Sequence, residues 1–178
     1  MSDDDKHPRD ERGRFTSGGG SDLGKWADKR APLLAGALLA KAQREGGFSY
    51  RTGGKPSERV PKSGFMVSVP TSEGLNHVVN IEDMAKNAKD LASLNNEIKG
   101  RVEGWLKKTL PAIQQKHDHY LGGWMERHND GTNKALHLDV SQRFTDKDKA
   151  VNAGKERNQL AIWHLDKSEE IPTGGTGK

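Results

Sequence analysis

"HYLGGWMERHNDGTNKALHLDVSQRF" (119–144) decides how the chain folds. Two runs of alternating character, 119–127 and 134–142, flank "HNDGTN", whose Asp-Gly pair suits a tight hairpin turn. Tyr120, Leu121, Trp124 and Met125 on the first strand, and Leu136, Leu138 and Val140 on the second, offer a face to bury. Gly122-Gly123 inside the first strand predicts a bulge or a close backbone approach. Downstream, Thr145 with Asp148 three positions on predicts a capped helix to about Gln159. "LAIWHL" (160–165) is apolar at nearly every position and predicts an interior strand. On this reading Trp124 and Trp163 belong to the core.

Upstream, Phe65, Val67 and Val69 alternate with Met66 and Ser68, the period of a half-buried strand. "RTGGK" (51–55) is a turn signal between Tyr50 and Val60. Asn80 and Asp83 mark the start of a helix over 80–95, with Met84, Ala88 and Leu91 on one face. A second helix over about 96–116 places Ile98, Val102, Trp105, Leu106, Leu110 and Ile113 on one stripe, and Pro111 should kink or end it. From residue 65 the order is therefore βαββαβ. That is an α+β chain with a ferredoxin-like split βαβ module over about 65–166.

Residues 1–24 read as a disordered tail, mixing charge, Gly and Ser around a lone Phe15. Residues 25–45 read as a short apolar helix with Pro32 near its start. Alone, such a helix is marginal in water, so it must dock on its own domain, a partner or a second copy. Arg12, Arg14 and Phe15 of the tail, with Trp26, Leu34 and Leu38 of this helix, form a candidate partner-docking set. An α+β domain fills 46–172, and 173–178 reads as a flexible end.

Composition narrows the function. Apolar residues are 31% and charged residues 30%, so a sizeable part of the chain joins no core. With no cysteine, disulfides and thiolate metal sites are excluded. The longest apolar run, "APLLAGALLA" (31–40), is too short to span a bilayer, so no membrane partner is expected. The net charge of +4 lies wholly in residues 1–64, with 13 Lys/Arg against 9 Asp/Glu; residues 65–178 hold 16 of each. Such a tail can make weak, salt-sensitive contact with DNA. Lys107, Lys108 and Lys116 add a mild basic face on the second helix.

No catalytic motif is complete. His117, His119, His128, His137 and His164 cluster late in the chain, and pairing of the hairpin strands could bring His119 toward His137. A metal needs three or four converging ligands, and neither HExxH nor CxxC is present, so no metal or cofactor is expected. Asp139 could meet Asn158 and Gln159 if the hairpin packs on the last helix, and Glu169-Glu170 could approach from the tail. His119, His137, Asp139, Asn158 and Gln159 are thus the candidate polar site, with no catalytic residue assigned. "TGGTGK" (173–178) lacks the spacing of a phosphate loop.

"YLGGW…LHLDVSQRFTDKDKAVNAGKERNQLAIWHLDKSEEIPTGG" is similar to an uncharacterised domain of tailed-phage and prophage proteins, and "GGFSYRTGGK…GFMVSV" looks like the segment preceding it. That domain occurs alone or with MuF-like head-morphogenesis and polyvalent proteins, and "HPRDERGRFTSGGG" looks like tails of phage head-gene products. His137 stands where the pattern has an aromatic before "LDVS", and "KNAKDLASLNNEIKGRVEGWLKK" looks expanded. The resemblance implies a setting and no chemistry. The expectation is a phage- or prophage-encoded accessory protein, a non-catalytic module binding phage structural or host proteins, associated with the virion or head morphogenesis or delivered with the DNA. It would reside in the virion or the host cytoplasm. The alternatives are a small enzyme or toxin-like effector with a His/Asp site on the 119–142 hairpin, and a basic DNA-contacting module.

Overall fold

A computed structural model describes residues 20–114 and 116–177. Arg12, Arg14, Phe15 and most of the expected tail lie outside them. The described residues form four α-helices and a seven-stranded antiparallel sheet. The helices are α1 (Gly20–Glu45), α2 (Ile81–Asn87), α3 (Leu91–Ile113) and α4 (Lys147–Glu156). The strands are β1 (Gly47–Tyr50), β2 (Phe65–Ser68), β3 (His77–Asn80), β4 (His119–Arg127), β5 (Asn133–Phe144), β6 (Ala161–His164) and β7 (Glu169–Pro172). The sheet order is β1-β4-β5-β2-β6-β7, with β3 also pairing β5. The α+β reading holds. The strand content differs from the βαββαβ order expected, because β1, β3 and β7 are present beside β2, β4, β5 and β6.

β5 is the longest strand and organises the rest. It pairs with β4 along one side; along the other it pairs with β3 near its start and β2 near its end. Strand side chains alternate between faces. Leu136, Leu138 and Val140 therefore point one way and are almost fully buried, with Leu121 and Met125 of β4 beside them. All of these belong to one core with α1 and α3. Phe65 and Val67 share that sheet face and pack with Ala150 of α4 and Ile162 of β6. Helices thus cover one face of the sheet. Ser49, Gly122, Trp124, His137, Asp139, Ser141, Met66, Ser68 and Trp163 lie on the other, by the strand registers.

α1 docks inside its own domain. Ala27, Ala31, Leu34, Ala35, Leu38 and Ala42 recur at helical spacing, are all buried, and face chiefly α3. The small alanines let the two helices approach closely. This overturns the docking role expected of Leu34 and Leu38: side chains 8% and 4% exposed within their own core have no surface to offer a partner. Trp26 also packs against that core, partly buried.

Helix ends differ from the sequence reading in α2, α3 and α4 alike. The expected 80–95 helix, capped as foreseen by Asn80, stops at Asn87 because Ala88 is extended. Asp90 then caps α3 by accepting from the Ser93 amide, so Leu91 opens the second helix. Pro111 sits within α3 without ending it, as the helix runs on to Ile113. Asp146, not Thr145, caps α4 through the Lys149 amide, and α4 ends at Glu156. Trp105 donates its indole N–H to the Leu75 carbonyl (2.7 Å), fastening the β2–β3 connection to α3. No helix of the described residues is long and apolar enough to cross a membrane.

Residues 173–177, expected as a free end, are held by hydrogen bonds. Thr173 is buried and its amide donates to the Leu160 carbonyl; the Gly177 amide donates to the Asn158 carbonyl.

If α1 is an internal element, Leu38→Ala should cost about 2–5 kcal/mol. Leu33→Ala, at a side chain 71% exposed on the same helix, should stay within about 0.5 kcal/mol. Urea unfolding of both variants checks this contrast, and equal small effects would mean that α1 does not pack as described.

Candidate functional site

The uncovered sheet face carries a groove of about 800 Å³. Its lining runs from Glu45–Ser49 across Met66, Ser68, Gly122, Trp124, Asp139 and Ser141 to Gln159, Trp163 and Glu170. Trp124 is 52% exposed and Trp163 42% exposed, against the expectation that both are core. Strand parity explains the error. Trp163 lies between Ile162, which is buried among α4 and β2, and His164, which stacks on Phe65. It must therefore point to the opposite face. An unbroken apolar run does not reveal which alternate set faces the helices.

At one end of the groove, Trp124 stacks on His137, with ring centroids 4.1 Å apart and planes within 5°. His137 Nε2 lies 3.0 Å from Glu126 Oε2, and Lys134 donates to Glu126 Oε1 at 2.7 Å. The Lys134 hydrogen bond, followed by that of His137, holds the Glu126 carboxyl below its ordinary value. Exposed Val78 lies cross-strand from His137 and extends this apolar row.

The centre is polar. Asp139 Oδ2 accepts from Ser68 Oγ at 2.6 Å and from Ser141 Oγ at 3.0 Å. Its other oxygen lies over Gly122, where an added Cβ would collide with it. On the reverse face, the Phe48 ring lies over Gly123, and a Cβ there would come within 2.5 Å of it. The glycine pair is thus the close backbone approach foreseen, from both faces at once. The irregularity in β4 pairing lies instead at Glu126/Arg127. Gln159 accepts from the Ser68 amide (3.2 Å) and donates to the Ser68 carbonyl, extending β2 as another strand would.

Two of the five candidate polar residues, Asp139 and Gln159, meet in the groove through Ser68, and His137 sits at its end. His119 does not join them. It pairs with Gln142 and Trp124 pairs with His137, so the two histidines are five positions apart in register and on opposite faces. His119 contacts Asp118 instead, at 2.7 Å. Asn158 has φ 56° and accepts from the Thr176 amide (2.8 Å), so it serves the C-terminal segment. Glu170 lines the groove, whereas Glu169 approaches His164. His128 lies near Glu82. Among the described residues no group of three His, Asp or Glu side chains could hold a metal ion.

The three lysines expected as a basic face on one helix are engaged, and Lys116 lies beyond the end of α3 at Ile113. Lys107 pairs with Glu103 and Lys116 with Glu73, and Lys108 donates to the Gly74 carbonyl. Ser68, Ser141 and Met66 were not singled out from sequence. The signal available was their alternation in "FMVS" and "DVSQ", which puts small polar groups on the face opposite the core.

Chemically, the groove offers aromatic faces, two serine hydroxyls already donating to a carboxylate, and further carboxylates at its rim. Neither serine hydrogen-bonds a histidine among the described residues, so the arrangement of an activated nucleophile is not built here. Protein-family models, curated proteins and solved structures show no match to this chain.

Trp124→Ala and Trp163→Ala should each cost about 1–2 kcal/mol, below the roughly 3–5 kcal/mol of a buried tryptophan truncation. Thermal or urea unfolding decides; losses of the larger size would return both rings to the core. A depressed folded-state value for Glu126 means its contribution is complete above its ordinary value of 4.5 and is lost as pH falls through the folded value. Glu126→Gln should therefore shrink the fall in Tm between about pH 5 and pH 3. An unchanged fall would show that the Lys134 and His137 contacts do not persist in solution.

Proposed function

We propose that this chain is a non-catalytic recognition module whose uncovered sheet face binds another protein. The observation that carries the reading is the pair of exposed tryptophans on a sheet face that no helix of the described residues covers. Large exposed aromatics grouped around a groove are what a binding surface needs and what solubility disfavours. The order β4-β5-β2-β6, with α3 and α4 on one face, supports reading the centre of the fold as an elaborated ferredoxin-like split βαβ unit. In that unit the uncovered face is the natural place to bind.

The resemblance to phage and prophage proteins supplies the setting: an accessory protein of the virion or of head morphogenesis, or one delivered with the DNA, with phage structural or host proteins as partners. A His/Asp enzyme is less well supported, because His137 is engaged by Trp124 and Glu126 and His119 faces away. DNA contact is less well supported along the described surface, because the groove is lined by carboxylates without a Lys or Arg and Lys107, Lys108 and Lys116 are engaged.

Quantitative mass spectrometry of gradient-purified particles from a host carrying the gene tests the setting. A fixed ratio of this chain to the capsid subunit is expected. Clear expression in the host with none in particles would overturn the virion assignment.

A further inference from the structure

Resting on that reading of the open face, we infer that the groove takes an extended peptide segment bearing an arginine or lysine, with the cationic side chain seated at Asp139. The argument is charge complementarity on a shaped surface. Among the described residues no Lys or Arg lines the groove, while Glu45, Asp139 and Glu170 do. Glu45 is already paired with Lys41 and Arg44. Asp139 and Glu170 make no ion pair among the described residues, and Asp139 receives only two neutral hydroxyl donors on one of its oxygens. A half-buried carboxylate on a sheet floor, supported but not neutralised, favours a cation and repels a phosphate. The exposed ring of Trp124, stacked by His137 on one side, gives a guanidinium a second favourable surface.

The shape favours an extended segment. Trp124 is on β4 in register with His137, and Trp163 is on β6 in register with Met66 and Arg143. Three strand spacings of about 4.8 Å and a six-residue offset at about 3.3 Å per residue put their backbones about 25 Å apart on the diagonal. That is about the length of seven extended residues. Asp139 lies between the two in register, so a ligand anchored by aromatic contacts at both ends would present its middle to the carboxylate.

The test selects from a random heptapeptide library on the full chain, then remakes the selected peptide with citrulline, the neutral isostere of arginine. Enrichment of Arg or Lys is expected, and both citrulline substitution and Asp139→Asn should weaken binding at least about tenfold. Glu170→Gln, at an exposed side chain that cannot unfold the protein, should weaken it by a smaller factor. Selected peptides that need Trp124 and Trp163 but tolerate citrulline and Asp139→Asn would overturn the cation and leave the recognition face standing. Selection giving no peptide whose binding Trp124→Ala and Trp163→Ala abolish would overturn both. Tryptophan-dependent binding of an oligothymidylate in preference to any peptide would assign the face to nucleic acid and overturn the peptide.

Discussion

The parity of β5 is the constraint on which the rest depends. Successive side chains of a strand point to opposite faces, so a strand paired on both sides sorts its residues into two sets with no intermediate. In β5 the even set, Leu136, Leu138 and Val140, closes the core, and the odd set, His137, Asp139 and Ser141, builds the groove. A one-residue slip would bury Asp139 away from Ser68 and expose three aliphatic side chains. The burial of the even set therefore also fixes the geometry of the odd one, and groove and core share one register.

The glycine pair of β4 shows the same economy at a single dipeptide. Gly122 leaves room for the Asp139 carboxylate on the groove side, and Gly123 admits Phe48 from β1 on the core side. Neither residue contributes a side chain, yet each lets a neighbour come nearer than any Cβ would permit. The groove floor and the edge of the core are consequently fitted through the same few atoms of backbone.

Much of this was legible in the residues. The hairpin, its Asp-Gly turn, the Asn80 cap, the α3 stripe and the α+β class follow from local patterns with direct physical causes. The close approach at Gly122-Gly123 was legible for the same reason. What failed depended on partners distant in sequence. "LAIWHL" has no polar residue to mark its outer face until His164, and that histidine points inward onto Phe65. The α1 stripe fits a docking helix equally well whether its partner is α3 or another chain. His119 and His137 looked adjacent because a hairpin was certain and its register was not. Asp139 and Gln159 come together only through Ser68, an inconspicuous serine at the end of a four-residue strand.

The way the C-terminal segment is fastened has a temporal consequence. Asn158 takes a left-handed conformation, accepts from Thr176 and is bonded again by Gly177, while its neighbour Gln159 grips Ser68. The turn that presents Gln159 is thus clamped by residues about twenty positions later. Thr176 and Gly177 are synthesised after the hairpin, α3 and α4, so the Gln159 wall of the groove receives its fastening contacts later than the elements at the centre of the sheet.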